Sequence, residues 1–178
     1  MGFLDKLFGK FEDALPALHV EDSDIVAPAD GTIIDVKTLP DPVFADEVLG
    51  KSVAFHHDGD SAIICAPANG VLLQLFPTGH AFQIETKEGV GVLVHLGIDT
   101  VNEKGNGFKL YAKRKGDAVS AGDPIVKVDL KTLSKAHDMS TILIITDDNG
   151  KAFDFLDSGK VQRGQSILKQ ETQYVVSS

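Results

Sequence analysis

The chain has 178 residues, 43% hydrophobic and 24% charged, the size and balance of one globular domain with a sizeable core. Seventeen basic against 26 acidic residues give a formal net charge of -9, which argues against nucleic acid and for a protein partner with a basic docking face. A single cysteine, Cys65, excludes an intramolecular disulfide, and no apolar stretch approaches the roughly 20 residues of a membrane span.

The first residues are too charged for a secretory signal, so the expected location is the cytoplasm. Within residues 1–11, Phe3, Leu4, Leu7, Phe8 and Phe11 recur at helical spacing, with Asp5, Lys6 and Lys10 opposite. Two readings stand: an amphipathic helix making weak contact with a membrane surface, or a tail that packs on its own domain or stays unfolded. Residues 12–24 are acidic, contain Pro16 and lack periodicity, which makes 1–24 an N-terminal segment plus linker and 25–178 the domain.

From Ile25 onward, short apolar runs are punctuated by Gly, Pro, Asn and Asp. Gly31–Val36, Ser61–Ala66, Phe82–Thr86 and Ile125–Val128 are examples, and the pattern predicts an all-β chain, an antiparallel β-sandwich or barrel. Helix signals are confined to one or two very short pieces within residues 106–115 and 130–137. Two half-motifs recur in the same order. Ala27-Pro28-Ala29-Asp30-Gly31 returns as Ala66-Pro67-Ala68-Asn69-Gly70, and Val119 to Ile125 returns as Val161 to Ile167. The fold is therefore expected to be built from two related halves, with Asp30-Gly31 and Asn69-Gly70 as tight-turn dipeptides.

Two histidines, His80 and His95, lie in apolar, strand-like runs. Alternation puts Gly91, Leu93, His95 and Gly97 on one face and Val90, Val92, Val94, Leu96 and Ile98 on the other. The bracketing glycines are expected to leave space around the His95 ring. Singly, such a histidine is more often structural. As a pair on neighbouring strands, the rings would share a shallow pocket, neutral in good part at cytosolic pH and each with a nitrogen lone pair for attack or ligation. Thr78, two residues before His80, is placed to orient the second ring. His56 and His57 read as solvated, His19 lies in the linker and His137 near a helix end, and Cys65 reads as a small packed residue. No Gly-rich phosphate loop, Cys-pair metal site or G-x-S-x-G elbow is present.

Gly89-Val90-Gly91-Val92-Leu93-Val94-His95-Leu96-Gly97-Ile98-Asp99-Thr100-Val101 resembles the signature of the glucose-type enzyme IIA proteins of the bacterial sugar phosphotransferase system. Thr78–Phe82, Pro40–Ala45 and Lys104–Lys109 are similar to further segments of that family, and the likeness runs from about Ile25 to about Lys169. The resemblance implies an antiparallel β-sandwich and a phosphocarrier needing no cofactor. His95 would take a phosphoryl group on Nε2 from the phosphohistidine protein HPr and pass it to the IIB cysteine of a sugar permease. His80 would bond the phosphoryl oxygens, the Gly97 carbonyl would hold the Nδ1 proton of His95, and Thr78 would orient His80. It further implies docking of regulatory protein partners, and a zinc ion shared by His80 and His95 with a partner though not held by the isolated chain.

Phosphoryl transfer also needs an apolar collar against water, for which Val43, Phe44, Phe76 and Phe82 are candidates that would double as the docking face. Asp99 and Glu85 are candidate acidic neighbours tuning release. A monomer is expected. Cys65 lacks the setting of a IIB phosphocysteine, and Gly79 stands where the family often carries another small or polar residue. Two rival readings fit parts of the sequence. A biotinyl- or lipoyl-like carrier or interaction module fits the repeats but lacks the modified lysine turn. A lysostaphin-type zinc peptidase fits H-x-x-x-D at His95 and Asp99 but needs an H-x-H pair that this chain does not contain.

Overall fold

The computed structural model describes residues 15–170, so the amphipathic reading of residues 1–11 lies outside the described residues. Eleven strands are described: β1 (Gly31–Ile34), β2 (Lys51–His56), β3 (Ser61–Cys65), β4 (Gly70–Leu75), β5 (Ala81–Thr86), β6 (Gly91–Leu96), β7 (Phe108–Leu110), β8 (Ala118–Val119), β9 (Pro124–Asp129), β10 (Thr141–Asp147) and β11 (Gly159–Val161). They form an eight-stranded sheet, β11-β1-β2-β10-β6-β5-β4-β8, and a three-stranded sheet, β3-β9-β7. Every pairing is antiparallel, so the expected β-sandwich is what forms. No described helix is long and apolar enough to cross a membrane.

The central strand β10, Thr141-Ile142-Leu143-Ile144-Ile145, is apolar without alternation because both of its faces are covered. Leu143 and Ile145 join the main core with Phe55, Leu72, Phe82, Ile84, Val92, Val94 and Ile125. Ile142 and Ile144 point the other way, into a smaller cluster with Leu39, Phe44, Ala54 and Ile98. Neighbouring β6 sends Val92, Val94 and Leu96 into the main core and Leu93 toward the smaller cluster, which puts His95 on the smaller cluster's face.

The duplicated motifs occupy equivalent places. Cys65 N–H donates to the Pro28 carbonyl and Val26 N–H to the Pro67 carbonyl, both at 2.8 Å, so the two Ala-Pro segments run against each other. Asp30 Oδ1 accepts from Arg163 N–H, and Asn69 Oδ1 accepts from Ala121 N–H, again both at 2.8 Å. The turn reading of Asp30-Gly31 and Asn69-Gly70 is corrected. Gly31 and Gly70 open strands, and glycine is needed there for close approach: a Cβ would lie 2.6 Å from the His56 carbonyl oxygen and 2.0 Å from that of Glu85. The positive-φ turns belong to the second half-motif, at Gly122 and Gly164.

Two helices of four residues each are described, α1 (Pro42–Ala45) and α2 (Leu130–Leu133), with short 3-10 turns at Val36–Thr38 and Thr100–Glu103. The second expected helix piece formed as α2; the first did not, because Phe108–Leu110 pairs with β9 as β7. Residues 15–24 contain no strand but are tied down. Leu18 packs in a notch between Gly122 and Gly164, Arg163 donates to the Pro16 carbonyl at 2.7 Å, and Asn69 donates to the Val20 carbonyl at 2.7 Å. His57, expected to be solvated, is buried, with Nδ1 2.7 Å from the Asp30 carbonyl and Nε2 2.9 Å from Thr141 Oγ1. Burial holds its pKa below the usual histidine value.

Candidate functional site

His95 lies near the end of β6, and His80 immediately precedes β5. These strands pair with Ala81 opposite His95, and Leu96 N–H donates to the His80 carbonyl at 2.8 Å. The ladder thus brings together two rings fifteen residues apart in the chain. Their centroids are 5.4 Å apart and their planes stand at 79°.

Each ring is held by its Nδ1. For His95 the partner is the Gly97 carbonyl oxygen at 2.8 Å. A carbonyl only accepts, so Nδ1 carries the proton and Nε2 keeps its lone pair. For His80 the partner is Thr78 Oγ1 at 2.5 Å, a hydroxyl that can take either role. Burial lowers the pKa of both rings, and the neighbouring His80 lowers His95 further. The Gly97 carbonyl, Asp41 and Asp99 pull the other way on His95 without reversing the shift. At neutral pH the result is a neutral imidazole with one nitrogen available for attack.

Gly97 is required for its geometry. Its φ is +78°, and a Cβ there would sit 2.6 Å from Thr100 Cγ2, 2.8 Å from Met139 Sδ and 3.1 Å from the Asp138 carbonyl oxygen. The glycines flanking His95 therefore leave no open space, contrary to expectation; their neighbours fill it, and at Gly91 the obstacle is Thr146 Oγ1 at 2.7 Å. The turn at Gly97 also ends the strand's alternation, so Ile98 joins the smaller cluster beside Phe44 and not the main core.

The apolar candidates divide. The Phe44 ring lies 4.9 Å from His95 and Phe76 lies 5.2 Å from His80, each tilted against its imidazole. Phe44 is buried and Val43 beside it is 42% exposed, so one residue walls the ring while the other offers surface. Phe82 is fully buried among the main core, opposite Val94, and does not line the site. Glu85 is paired with Gly91 at the other end of β5 and β6, roughly 15 Å along the strand from His80. Asp99 is exposed, in a left-handed conformation (φ 59°), and within electrostatic reach of His95.

Asp41 was missed by sequence reasoning. It caps α1 by accepting from Val43 N–H at 2.8 Å, with Pro42 at the first helical position. The Asp-Pro dipeptide is a readable helix start, and it is what presents Phe44 to His95. His137 was also passed over; its Nδ1 is 2.8 Å from the Ile98 carbonyl and its Nε2 2.7 Å from Glu103 Oε1. Among the described residues, no group of three or more His, Cys, Asp or Glu side chains could hold a metal ion.

Comparison with known proteins agrees in family and fold. Residues 23–153 match the family described as phosphoenolpyruvate-dependent sugar phosphotransferase system, EIIA 1. The chain is 39% identical over 169 residues to the PTS system glucose-specific EIIA component of Haemophilus influenzae, covering 94% of this chain and 97% of that protein. It is 34% identical to part of the glucose-specific EIICBA component of Staphylococcus carnosus, matching 81% of this chain but 21% of that longer protein. The solved structure of glucose permease IIA from Mycoplasma capricolum superposes with a TM-score of 0.74 at 37% identity, covering 82% of this chain and 93% of that one. The chain belongs to the EIIA family of the phosphoenolpyruvate-dependent sugar phosphotransferase system.

Proposed function

We propose that this chain is a phosphocarrier in which His95 Nε2 accepts a phosphoryl group from phospho-HPr and passes it to the cysteine of a sugar permease's IIB domain. The observation that carries the proposal is the Nδ1 bond of His95 to the Gly97 carbonyl, which leaves the Nε2 lone pair free beside a second imidazole. In the first step this lone pair attacks phosphorus, a new N–P bond forms, and the donor's N–P bond breaks with its electron pair returning to the donor imidazole. In the second, a IIB thiolate attacks phosphorus and the electrons of the N–P bond return to His95.

Little covalent machinery is needed beyond positioning and charge stabilisation. With the Thr78 hydroxyl donating to His80 Nδ1, the His80 Nε2–H is free to donate to a phosphoryl oxygen. Phe44 and Phe76 shield the rings, and the exposed Val43 beside Phe44 offers an apolar docking surface. Both partners would meet this surface on the cytoplasmic side. Zinc needs four ligands as a rule, so two imidazoles would hold it only with ligands from a partner. Glucose is the sugar named for the relatives, and we extend it to this chain.

The test is intact-protein mass after incubation with phosphoenolpyruvate, enzyme I and HPr. A gain of about 80 Da that is lost in brief acid treatment supports a phosphohistidine. His95→Ala should abolish it, and stoichiometric labelling of that variant would overturn the assignment.

A further inference from the structure

The loop that orients His95 is gripped by a side chain outside the site. Ile98 follows Gly97, and both polar groups of its backbone are taken by one segment beyond α2. Its N–H donates to the Asp138 carbonyl at 2.9 Å, and its carbonyl accepts from His137 Nδ1 at 2.8 Å. The other nitrogen of His137 donates to Glu103 Oε1 at 2.7 Å, in the 3-10 turn that closes the same loop. Around these anchors the chain turns through left-handed residues at Gly97 and at the non-glycine Asp99 and Lys104, a path that persists only when its surroundings hold it. Gly97 N–H bonds to the Ser140 carbonyl at 2.9 Å, and Thr100 Oγ1 bonds to the Leu96 carbonyl at 2.6 Å.

We propose that His137 is a positioning residue for His95, acting through the Ile98 and Gly97 backbone, and that Glu103 holds His137 in place as a doubly protonated ring. Both partners of His137 can only accept, so both ring nitrogens donate and the ring is an imidazolium. The carboxylates around it have the matching sign: Glu103 from the 3-10 turn, Asp99 from the loop, Asp138 from its own segment and Asp41 across the shared cleft. The Glu103 bond raises its pKa above the usual histidine value. Only 10% of the His137 side chain is exposed, so the bracket is shielded more than a surface pair.

The proposal rests on His95 being the reacting residue, and its first readout does not depend on transfer. In the full-length unphosphorylated protein, nitrogen NMR of His95 should report one tautomer, protonated at Nδ1. In His137→Ala it should move toward a tautomer average, and phosphoryl acceptance should slow about tenfold, short of the hundredfold of a full ångström's misplacement. His137→Asn, whose amide can reach the Ile98 carbonyl, should restore the single tautomer. Where the alanine variant does not fold, His137→Gln, which reaches Glu103 but not Ile98, carries the same test. An unchanged His95 tautomer in folded His137→Ala or His137→Gln would overturn the proposal, as would failure of His137→Asn to differ from them. Glu103→Gln should lower the titration of His137 toward about 6.5, and an unmoved titration would overturn the imidazolium. If the wild-type chain accepts no phosphoryl group, the function fails while the tautomer result still judges the bracket.

Discussion

Gly97→Ala tests whether the carbonyl that holds His95 depends on its unusual backbone. Adopting φ near +78° costs an alanine about 1 kcal/mol that glycine does not lose. Its methyl would also meet three neighbours inside ordinary contact distance. Met139 Sδ ends a flexible side chain and can withdraw. Thr100 cannot easily do so, being fully buried with its hydroxyl fixed to the Leu96 carbonyl, and the Asp138 oxygen is backbone already engaged by Ile98 N–H. Overpacking of this kind adds about 1–3 kcal/mol, for a total of about 2–4 kcal/mol. For a chain of this length that corresponds to a fall in Tm of about 5–15 °C. Relieving the clash by turning the 97–98 peptide would move the carbonyl off His95 Nδ1. Thermal unfolding and the rate of labelling by phospho-HPr should therefore fall together. A Tm within about 2 °C of wild type with undiminished labelling would refute the account of Gly97.

Acceptance should depend on pH through His95, which must be neutral to attack. Burial holds its pKa below the usual histidine value of 6.5, so the labelling rate should fall as pH drops with a midpoint below 6.5, where the folded ring takes up its proton. A midpoint at or above the ordinary value would contradict the burial reasoning. His80→Gln should still accept phosphate, since His95 and its Gly97 bond are untouched, but should donate poorly to IIB. Loss of acceptance with donation intact would require the two histidine roles to be exchanged.

The sandwich and the histidine pair were legible because both write short-range patterns. The apolar runs between Gly, Pro and Asp marked the strands, and the repeat marked two halves whose hydrogen bonds the structure shows to be equivalent. What was not legible depends on partners far away in sequence. His57 and His56 are adjacent and look alike, yet only His57 meets Asp30 and Thr141, 27 and 84 residues distant. Phe82 and Phe44 are equally apolar, but strand parity turns one into the main core while an Asp-Pro helix start brings the other to His95. Glu85, a candidate acidic neighbour of the site, lies on β5, which runs away from the rings and carries it off to pair with Gly91. Gly31 and Gly70 show that a dipeptide's turn propensity yields where another strand's carbonyl crowds the α-carbon.

His95 stands on β6, which is paired along its length to β5 on one side and β10 on the other, in the middle of the eight-stranded sheet. A residue so placed cannot swing from one position to another, because displacing it would unzip two ladders at once. Under the proposed phosphocarrier role, donor and acceptor would each come to the same patch in turn, and the first would have to leave before the second could land. Throughput of that proposed relay would be governed by how quickly the donor departs, and a docking face that gripped either partner too tightly would throttle it.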